Sequence, residues 1–248
     1  MKKQDEHFLN IKKIYPGVTS VTKPIVSGLI HNVYIVDCAN GKYICRFSKK
    51  DVAEHNLQIS NLLQTHNIAA PRVSIYNCGK TYCETYPFIP GKTLYERLLE
   101  GLSDDKKDNV YRQLFDISYK IENIPYADIR ATPIPLFSKC LRKVISVLNP
   151  SKKKLCHTDL HAKNVILDEK DNVRAILDLD SILPERISVA RFIIMKDAKR
   201  YGYDTTRFSN MSKNINIHCF NLLASTTNIF GNIFSECLRK QMLKIRVK

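Results

Sequence analysis

Two short, mostly hydrophobic runs lie near the start of the chain, and a polar turn sequence separates them. Asn32 to Cys38 (NVYIVDC) and Lys42 to Ser48 (KYICRFS) are rich in β-branched and aromatic residues. Ala39-Asn40-Gly41 lies between these runs, and Asn-Gly in that place favours a tight hairpin because it tolerates positive φ angles. The pattern therefore predicts two paired antiparallel strands.

The spacing of apolar residues then changes from that of a strand to that of a helix. Apolar positions recur near helical spacing from Asp51 to His66, and Glu54 follows Asp51 by three residues. This arrangement predicts one amphipathic helix with Asp51 as its N-cap and Glu54 at the capping-box position. Two more strand-like segments precede a break at Pro90-Gly91: Arg72 to Asn77 and Thr81 to Ile89.

Helical spacing dominates the remainder of the chain. Segments with this spacing start at Ser103, run from Leu136 to Leu148, run from Ser188 to Tyr201, and occupy parts of Asn214 to Leu243. The predicted order is a strand-rich first third that contains one helix, a short connector and a mainly helical remainder. This order indicates an α+β fold.

Length and composition allow a chain of this order to build its own core. The chain has 248 residues, of which 44% are hydrophobic, and this is enough for one domain or two packed lobes. Eighteen uninterrupted apolar residues occur nowhere, and the start, MKKQDEHFLNIKKIY, has no apolar run behind its basic residues. Neither a membrane span nor a signal peptide is expected, so we expect a cytoplasmic protein.

The cysteines and the charge exclude little by themselves. The chain has 8 Cys without a C-x-x-C pair, and they are expected to be reduced core residues. The 39 Lys and Arg against 24 Asp and Glu give a net charge of +15, spread along the chain. This charge favours anionic ligands in general, and a solvated basic surface explains it equally well.

The segment from His157 to Asp178 carries the chemistry. His157-Thr158-Asp159 is followed by Asn164, in the spacing H-x-D-x-x-x-x-N, and Ile176-Leu177-Asp178 returns after a polar turn. One carboxylate could orient a hydroxyl group, and a carboxamide with a second carboxylate could supply oxygen ligands to Mg²⁺. The pattern therefore predicts a phosphoryl-transfer site.

The order of these parts resembles the protein-kinase-like fold, and more narrowly the aminoglycoside phosphotransferase and choline kinase group of small-molecule kinases. The resemblance lies in Lys154 to Asp168 and Ala175 to Ser181. It implies a bilobal α+β fold, with residues 1–87 as a nucleotide-binding lobe and 88–248 as a catalytic and substrate-binding lobe. It further implies ATP and Mg²⁺ as cofactors and transfer to a small-molecule alcohol.

The resemblance also implies roles for single residues of the catalytic segment. Asp159 would be the catalytic base, and His157 in the same loop would brace it more than react. Asn164 and Asp178 would hold Mg²⁺. Arg46 stands where such kinases place a cation that reaches the ATP phosphates, and Glu54 would pair with it from the helix. Arg46 as an exposed strand residue and Glu54 as a helix cap remain the open alternative.

The remaining implied contacts concern the nucleotide. Ser27, Gly28 and Asn32 belong to a turn that would cover the phosphates, although an ordinary hairpin loop is equally consistent with one glycine. The adenine would lie against the connector that contains Tyr86 and Phe88, and both aromatics could instead be core residues. The segment after Phe88 (FIPGKTL) resembles the one that follows this connector in the family.

Three alternatives bear on function. A zinc site at His157 and His161 is disfavoured, because the glutamate of H-E-x-x-H is missing. Protein kinase activity is disfavoured, because G-x-G-x-x-G and A-P-E are absent. The third is a catalytically degenerate binding protein that uses its basic surface for nucleic acid or a partner.

The substrate of the expected kinase could be a choline-like amino alcohol, a sugar or an aminoglycoside. Nucleic acid is not the expected ligand, and the oligomeric state stays open.

Overall fold

The computed structural model describes residues 3–24, 32–126, 129 and 152–210. The helices there are α1 (Lys3–Ile14), α2 (Lys50–Thr65), α3 (Leu94–Leu99), α4 (Asp104–Glu122) and α5 (Ile187–Arg200). The strands are β1 (Val18–Thr22), β2 (Asn32–Cys38), β3 (Gly41–Ser48), β4 (Ser74–Asn77), β5 (Tyr82–Pro87), β6 (Lys92–Thr93), β7 (Lys153–His157), β8 (Val165–Leu167), β9 (Val173–Ile176) and β10 (Ile182–Arg186). The helices predicted at Leu136 to Leu148 and within Asn214 to Leu243 lie outside the described residues.

The first strands form one antiparallel sheet in the order β1-β2-β3-β5-β4. The predicted hairpin is confirmed, since β2 and β3 pair from Asn32 with Phe47 to Cys38 with Gly41. Gly41 has a φ of 142°, a conformation that side chains with a Cβ rarely adopt. The strands predicted before Pro90 are confirmed as β4 and β5.

Helix α1 covers the outer face of this sheet and was not predicted. Successive strand residues point to opposite faces, and in β3 the side chain of Phe47 points to the α1 side. The His7 ring stacks on Phe47 with 4.0 Å between ring centres, and His7 Nδ1 lies 3.1 Å from Tyr34 Oη. Ile11 is fully buried beside them. The other face of β3, which carries Arg46, is left for α2 and the functional site.

Helix α2 confirms the helix predicted in this region, but its start differs from the prediction. The residue at the N-cap is Lys49, and no side chain caps the helix there. Asp51 lies inside the first turn, where its negative charge interacts favourably with the positive end of the helix dipole. The predicted capping box of Asp51 and Glu54 is therefore wrong.

The second half of the described chain is built on α4, whose buried face forms the main core. The helix predicted from Ser103 is confirmed with Ser103 as the N-cap, and the helix predicted from Ser188 is confirmed as α5. Two small antiparallel sheets lie beside α4, in the orders β6-β8-β9 and β10-β7. They carry the segment from His157 to Asp178 in which the chemistry was predicted.

A buried aspartate ties the β8–β9 hairpin to the helices. Asp171 is 1% exposed and accepts a hydrogen bond from Arg97 Nε of α3 at 2.5 Å and one from Lys106 Nζ of α4 at 2.7 Å. A buried carboxylate is costly unless it is paired. These two contacts therefore fix the turn between β8 and β9 against the helical part of the chain.

The predicted α+β fold class, with an antiparallel sheet first and helices after it, is confirmed. The division at residue 87 stays a prediction, although the five-stranded sheet does end at Pro87. Within the described ranges, no helix is both long and apolar enough to span a membrane.

Replacing Gly91 with alanine is expected to destabilise the protein by about 2 kcal/mol or more. Gly91 has a φ of 140°, and an added Cβ would clash with the Leu167 carbonyl oxygen and lie 2.8 Å from Ile166 Cγ2. Gly79→Ala is the matched control, because Gly79 has a φ of 82° but nothing within 4 Å of its would-be Cβ. Urea unfolding midpoints measure both, and equal losses would contradict the proposed clash with β8.

Candidate active site

The loop after β7 is held by its first histidine. His157 is buried, its Nε2 lies 2.8 Å from the Leu177 carbonyl oxygen, and its Nδ1 accepts the Asp159 N–H at 3.3 Å. Burial lowers the pKa of His157, so the ring is neutral and carries its proton on Nε2. Through these contacts His157 holds the loop against Leu177, the residue directly before Asp178.

Asp159 occupies the tip of this loop with its side chain half exposed. Asn164 Nδ2 donates to the Asp159 carbonyl oxygen at 2.9 Å and to Oδ2 at 3.3 Å. His161 Nε2 also lies 3.5 Å from Oδ2. Both side chains approach the same oxygen, so within the described part of the chain Oδ1 has no hydrogen-bond donor. The carboxylate is thus oriented through one oxygen while the other stays available.

The polar turn returns the second carboxylate to Asn164, as predicted. The Leu177 N–H donates to the Asn164 carbonyl oxygen at 2.8 Å, which places Asp178 directly after the end of the β8–β9 pair. Asp178 has a φ of 61° and a ψ of 58°, a left-handed conformation that Asp tolerates better than most residues. This bend turns the chain into the short 3-10 helix Leu179–Ser181.

Asp178 and Asp180 form a close pair of carboxylates. Burial, followed by the negative charge of Asp180, raises the pKa of Asp178 to about 7. Ser181 Oγ donates to Asp178 Oδ2 at 3.3 Å, and the positive charge of Arg46 lowers the pKa of Asp178 without cancelling burial and the charge of Asp180. A cation at this pair would therefore be stabilised.

Arg46 reaches these carboxylates from the N-terminal sheet. Its Nη2 donates to Asp180 Oδ2 at 2.6 Å, and its Nη1 lies 3.6 Å from Asp178 Oδ1. Burial alone would lower the pKa of Arg46, but the charges of Asp180, Glu84 and Asp178 raise it above its ordinary value. Arg46 thus joins the five-stranded sheet to the segment from His157 to Asp180.

The predicted ion pair of Arg46 with Glu54 is not formed. The Glu54 side chain is 54% exposed, and its nearest cation is Lys50 on the same helix at 3.6 Å. The physical reason is the rotation of α2, whose buried face presents His55, Asn56 and Ile59 to the protein. Glu54 is therefore turned to solvent.

Tyr86 belongs to β5, which pairs with β3, and Phe88 follows the end of that strand; the two aromatics differ in exposure. Burial raises the pKa of Tyr86 to about 12, and this side chain packs against the main core. Phe88 is 36% exposed, and its N–H donates to the Lys42 carbonyl oxygen at 2.8 Å. Because this N–H is already used, a base at the connector could not bind it.

The predicted phosphate-covering turn is only partly visible. Ser27 and Gly28 lie outside the described residues. Asn32 is the first residue of β2 and pairs in register with Phe47, one residue beyond Arg46 on β3. The structure thus brings together Asp159, Asn164, Asp178 and Arg46, places Asn32 on the strand that pairs with β3, and leaves Glu54 outside the site.

Three residues of the site had no role predicted from the sequence. Asp180 and Asp197 were visible only as acids near the motif, and His161 only as half of a disfavoured metal pair. Asp197 Oδ2 accepts the Ala162 N–H at 2.7 Å and so ties α5 to the loop. Burial alone would lower the pKa of His161, but its contact with Asp159 and the nearby carboxylates raise it. The D-x-D spacing of Asp178 and Asp180 was the one usable signal.

The donor set fits Mg²⁺ better than a softer metal. Asn164 uses its Nδ2 toward Asp159, so its Oδ1 is the atom left for a ligand. Asp178 adds a carboxylate whose pKa is raised by burial and then by the charge of Asp180. Among the described residues, no group of three or more His, Cys, Asp or Glu could hold a metal. Two protein oxygens are the usual complement for Mg²⁺ that also binds phosphates.

Comparison with solved structures shows the same fold in aminoglycoside phosphotransferases. The ADP-bound APH(2'')-Ib has a TM-score of 0.67 at 13% identity, covering 95% of this chain and 90% of that one. The GDP and kanamycin complex of APH(2")-IIia has a TM-score of 0.68 at 16% identity, covering 95% and 93%. APH(3'')-Id from Streptomyces rimosus ATCC10970 has a TM-score of 0.64 at 14% identity, covering 90% and 97%.

These structures confirm the fold that the resemblance implied. No protein-family model matches the chain, and no curated protein matches it. The identities are low, so the likeness concerns the fold. The chain therefore has the fold of the aminoglycoside phosphotransferases.

Proposed function

We propose that this chain is an ATP-dependent phosphotransferase that phosphorylates a hydroxyl group of a small molecule. The observation that supports the proposal most is the convergence of Asp159, Asn164 and Asp178 with Arg46. The first three come from one segment, and Arg46 comes from a sheet more than 100 residues away, at 2.6 Å from Asp180. Fold likeness to nucleotide-bound phosphotransferases agrees with this proposal.

Asp159 is the proposed catalytic base. Phosphoryl transfer requires mainly positioning and charge stabilisation, so a carboxylate that orients the acceptor hydroxyl and takes its proton suffices. Asn164 and His161 contact Oδ2 of Asp159, and this leaves Oδ1 for the acceptor. His157 keeps the loop in this conformation through its bond to the Leu177 carbonyl.

Asn164 and Asp178 are the proposed Mg²⁺ ligands. Mg²⁺, when bound, would neutralise charge on the ATP phosphates and thereby lower the barrier to transfer. Arg46 would exchange part of its contact with Asp180 and Asp178 for phosphate oxygens, which a guanidinium can bind with two N–H groups. Ser27, Gly28 and Asn32 are proposed to line the phosphates, and the base is proposed to lie against the segment that contains Tyr86 and Phe88.

The charges near the site favour a neutral or singly charged hydroxyl compound, such as a sugar or an amino alcohol, over a polycationic aminoglycoside. Asp180 is already paired with Arg46, and Asp197 accepts the Ala162 N–H. The segments outside the described residues add few acids, because 127–128 and 130–151 contain only Asp128 and 211–248 contains only Glu236. A polycation would require several free carboxylates.

Release of ADP from Mg-ATP across a panel of small alcohols tests the proposal. The panel contains sugars, choline, ethanolamine, thiamine, homoserine and aminoglycosides, and the thermal midpoint is measured with and without Mg-ATP. We expect a rise in this midpoint and acceptor-dependent ADP release. If neither occurs with any acceptor, the enzyme proposal fails. Steeply salt-dependent binding to nucleic acid without ATP dependence would then support the binding-protein alternative.

A further inference from the structure

A buried glutamate faces Arg46 on the neighbouring strand. Glu84 of β5 is 1% exposed, and it is the residue directly opposite Arg46 in the register of β3 and β5. Residues directly opposite in an antiparallel pair project from the same face of the sheet. Both side chains therefore lie on the face that carries the functional site, and the charge of Glu84 is among those that raise the pKa of Arg46.

The Glu84 carboxylate is also the centre of a hydrogen-bond network. Ser48 Oγ of β3 donates to Oε1 at 2.5 Å, and Asn56 Nδ2 of α2 donates to Oε2 at 2.7 Å. Ser48 and Asn56 are buried as well. One carboxylate therefore links two strands of the sheet to helix α2 within the protein interior.

Glu54 of helix α2 could reach Arg46 only if the helix rotated about its own axis. Consecutive helix residues are separated by about 100° around the axis, so Glu54 and Asn56 point about 160° apart, on nearly opposite sides of the helix. Asn56 is 1% exposed and faces Glu84, whereas the Glu54 side chain is 54% exposed. The link between helix and sheet thus runs through Asn56 and Glu84.

We propose that Glu84, held by Ser48 and Asn56, positions Arg46 for the nucleotide phosphates and takes the place that sequence analysis gave to Glu54. The inference rests on the proposed function, because Arg46, the residue that Glu84 would position, belongs to the proposed phosphate site. Arg46 is 8% exposed, and a buried guanidinium needs a fixed countercharge. When phosphates draw its terminal N–H groups away from Asp180, Glu84 remains behind as that countercharge.

Glu84→Gln tests the inference with little change in shape. The substitution removes the charge, keeps an oxygen for Ser48 Oγ, and adds an amide that can donate to Asn56 Oδ1, an atom without a hydrogen-bond partner. A flip of the Asn56 amide therefore preserves the network. Glu54→Gln makes the same chemical change at the rival position.

The expected result is selective for the nucleotide. Glu84→Gln should weaken Mg-ATP binding by about tenfold or more and raise KM for ATP by a similar factor, whereas Glu54→Gln should change either by less than about twofold. KM for the acceptor should stay within about twofold in both variants. A residue with a purely structural role would lower the unfolding midpoint without this separation of the two KM values.

Asn56→Leu gives a second test that does not depend on the folding of Glu84→Gln. It keeps the volume but removes the donor from α2, and it should weaken Mg-ATP binding in the same direction by about threefold or more. The inference alone is overturned if the wild-type chain binds Mg-ATP and the dissociation constant is unchanged in Glu84→Gln or in Asn56→Leu. It is also overturned if Glu54→Gln loses more affinity than Glu84→Gln. Absence of Mg-ATP binding by the wild-type chain overturns the proposed function and the inference together.

Discussion

Replacing Asp159 with asparagine is expected to reduce turnover by about 10²-fold to 10⁴-fold while Mg-ATP binding stays unchanged. Asparagine has the same shape and can still accept the hydrogen bond from Asn164 Nδ2 through its Oδ1. It cannot take a proton from an acceptor hydroxyl. The effect therefore falls on the chemical step and leaves nucleotide affinity intact.

Two measurements on purified variants check this expectation. Steady-state ADP release with the best acceptor reports turnover, and calorimetric titration with Mg-ATP reports affinity. Asp116→Asn is the matched control, because it makes the same change on an exposed position of α4. Turnover of Asp159→Asn close to that of this control would remove Asp159 from the mechanism, and a parallel loss of Mg-ATP binding would assign it to the nucleotide site.

Replacing Asp178 with asparagine is expected to abolish the Mg²⁺-dependent part of ATP binding while the protein without ligand becomes more stable. The raised pKa of Asp178, caused by burial and then by Asp180, means that its charged form is unfavourable in the folded protein. Asparagine removes this repulsion and leaves the bond of Arg46 to Asp180 in place. It also removes the carboxylate that a divalent cation would bind.

The stability change has a defined dependence on pH. In the wild-type protein, the charged Asp178 lowers the free energy of unfolding. This loss is complete above the folded-state pKa of about 7, where Asp178 is charged in both the folded and the unfolded protein, and it disappears as the pH falls toward the ordinary pKa of 3.8. The gain from Asp178→Asn should therefore be larger at pH 8 than at pH 5. Unfolding midpoints of both proteins at these two pH values, without and with Mg-ATP, test this expectation. Greater stabilisation by Mg-ATP in the variant would exclude Asp178 as a metal ligand.

The geometry of the segment from His157 to Asp178 could be predicted because its parts lie close together in sequence. His157, Asp159 and Asn164 share one loop, and a five-residue polar turn between two apolar strands brings Asp178 back to Asn164. Strand pairing across so short a connection follows from local pattern alone. The hairpin around Gly41 and helix α2 were predictable for the same reason.

Contacts between distant segments could not be predicted in this way. Helix α1 has few apolar residues, and it packs through His7 and Ile11 on a sheet whose outer face is not marked in the sequence. The partner of Arg46 is another case. Glu54 has the spacing expected of a helix acid, but the packing of His55 and Asn56 fixes the rotation of α2 and turns Glu54 outward.

The sequence by itself determined the β2–β3 hairpin, helices α2, α4 and α5, the spacing H-x-D-x-x-x-x-N and the α+β fold class, because periodicity and short-range spacing encode them. Only the tertiary structure decided that Arg46 contacts Asp180, which is 134 residues away, and that Glu84 is the buried acid opposite it. Such pairs depend on strand register and helix rotation. Both are set by the packing of the whole core, which has no local signature in the chain.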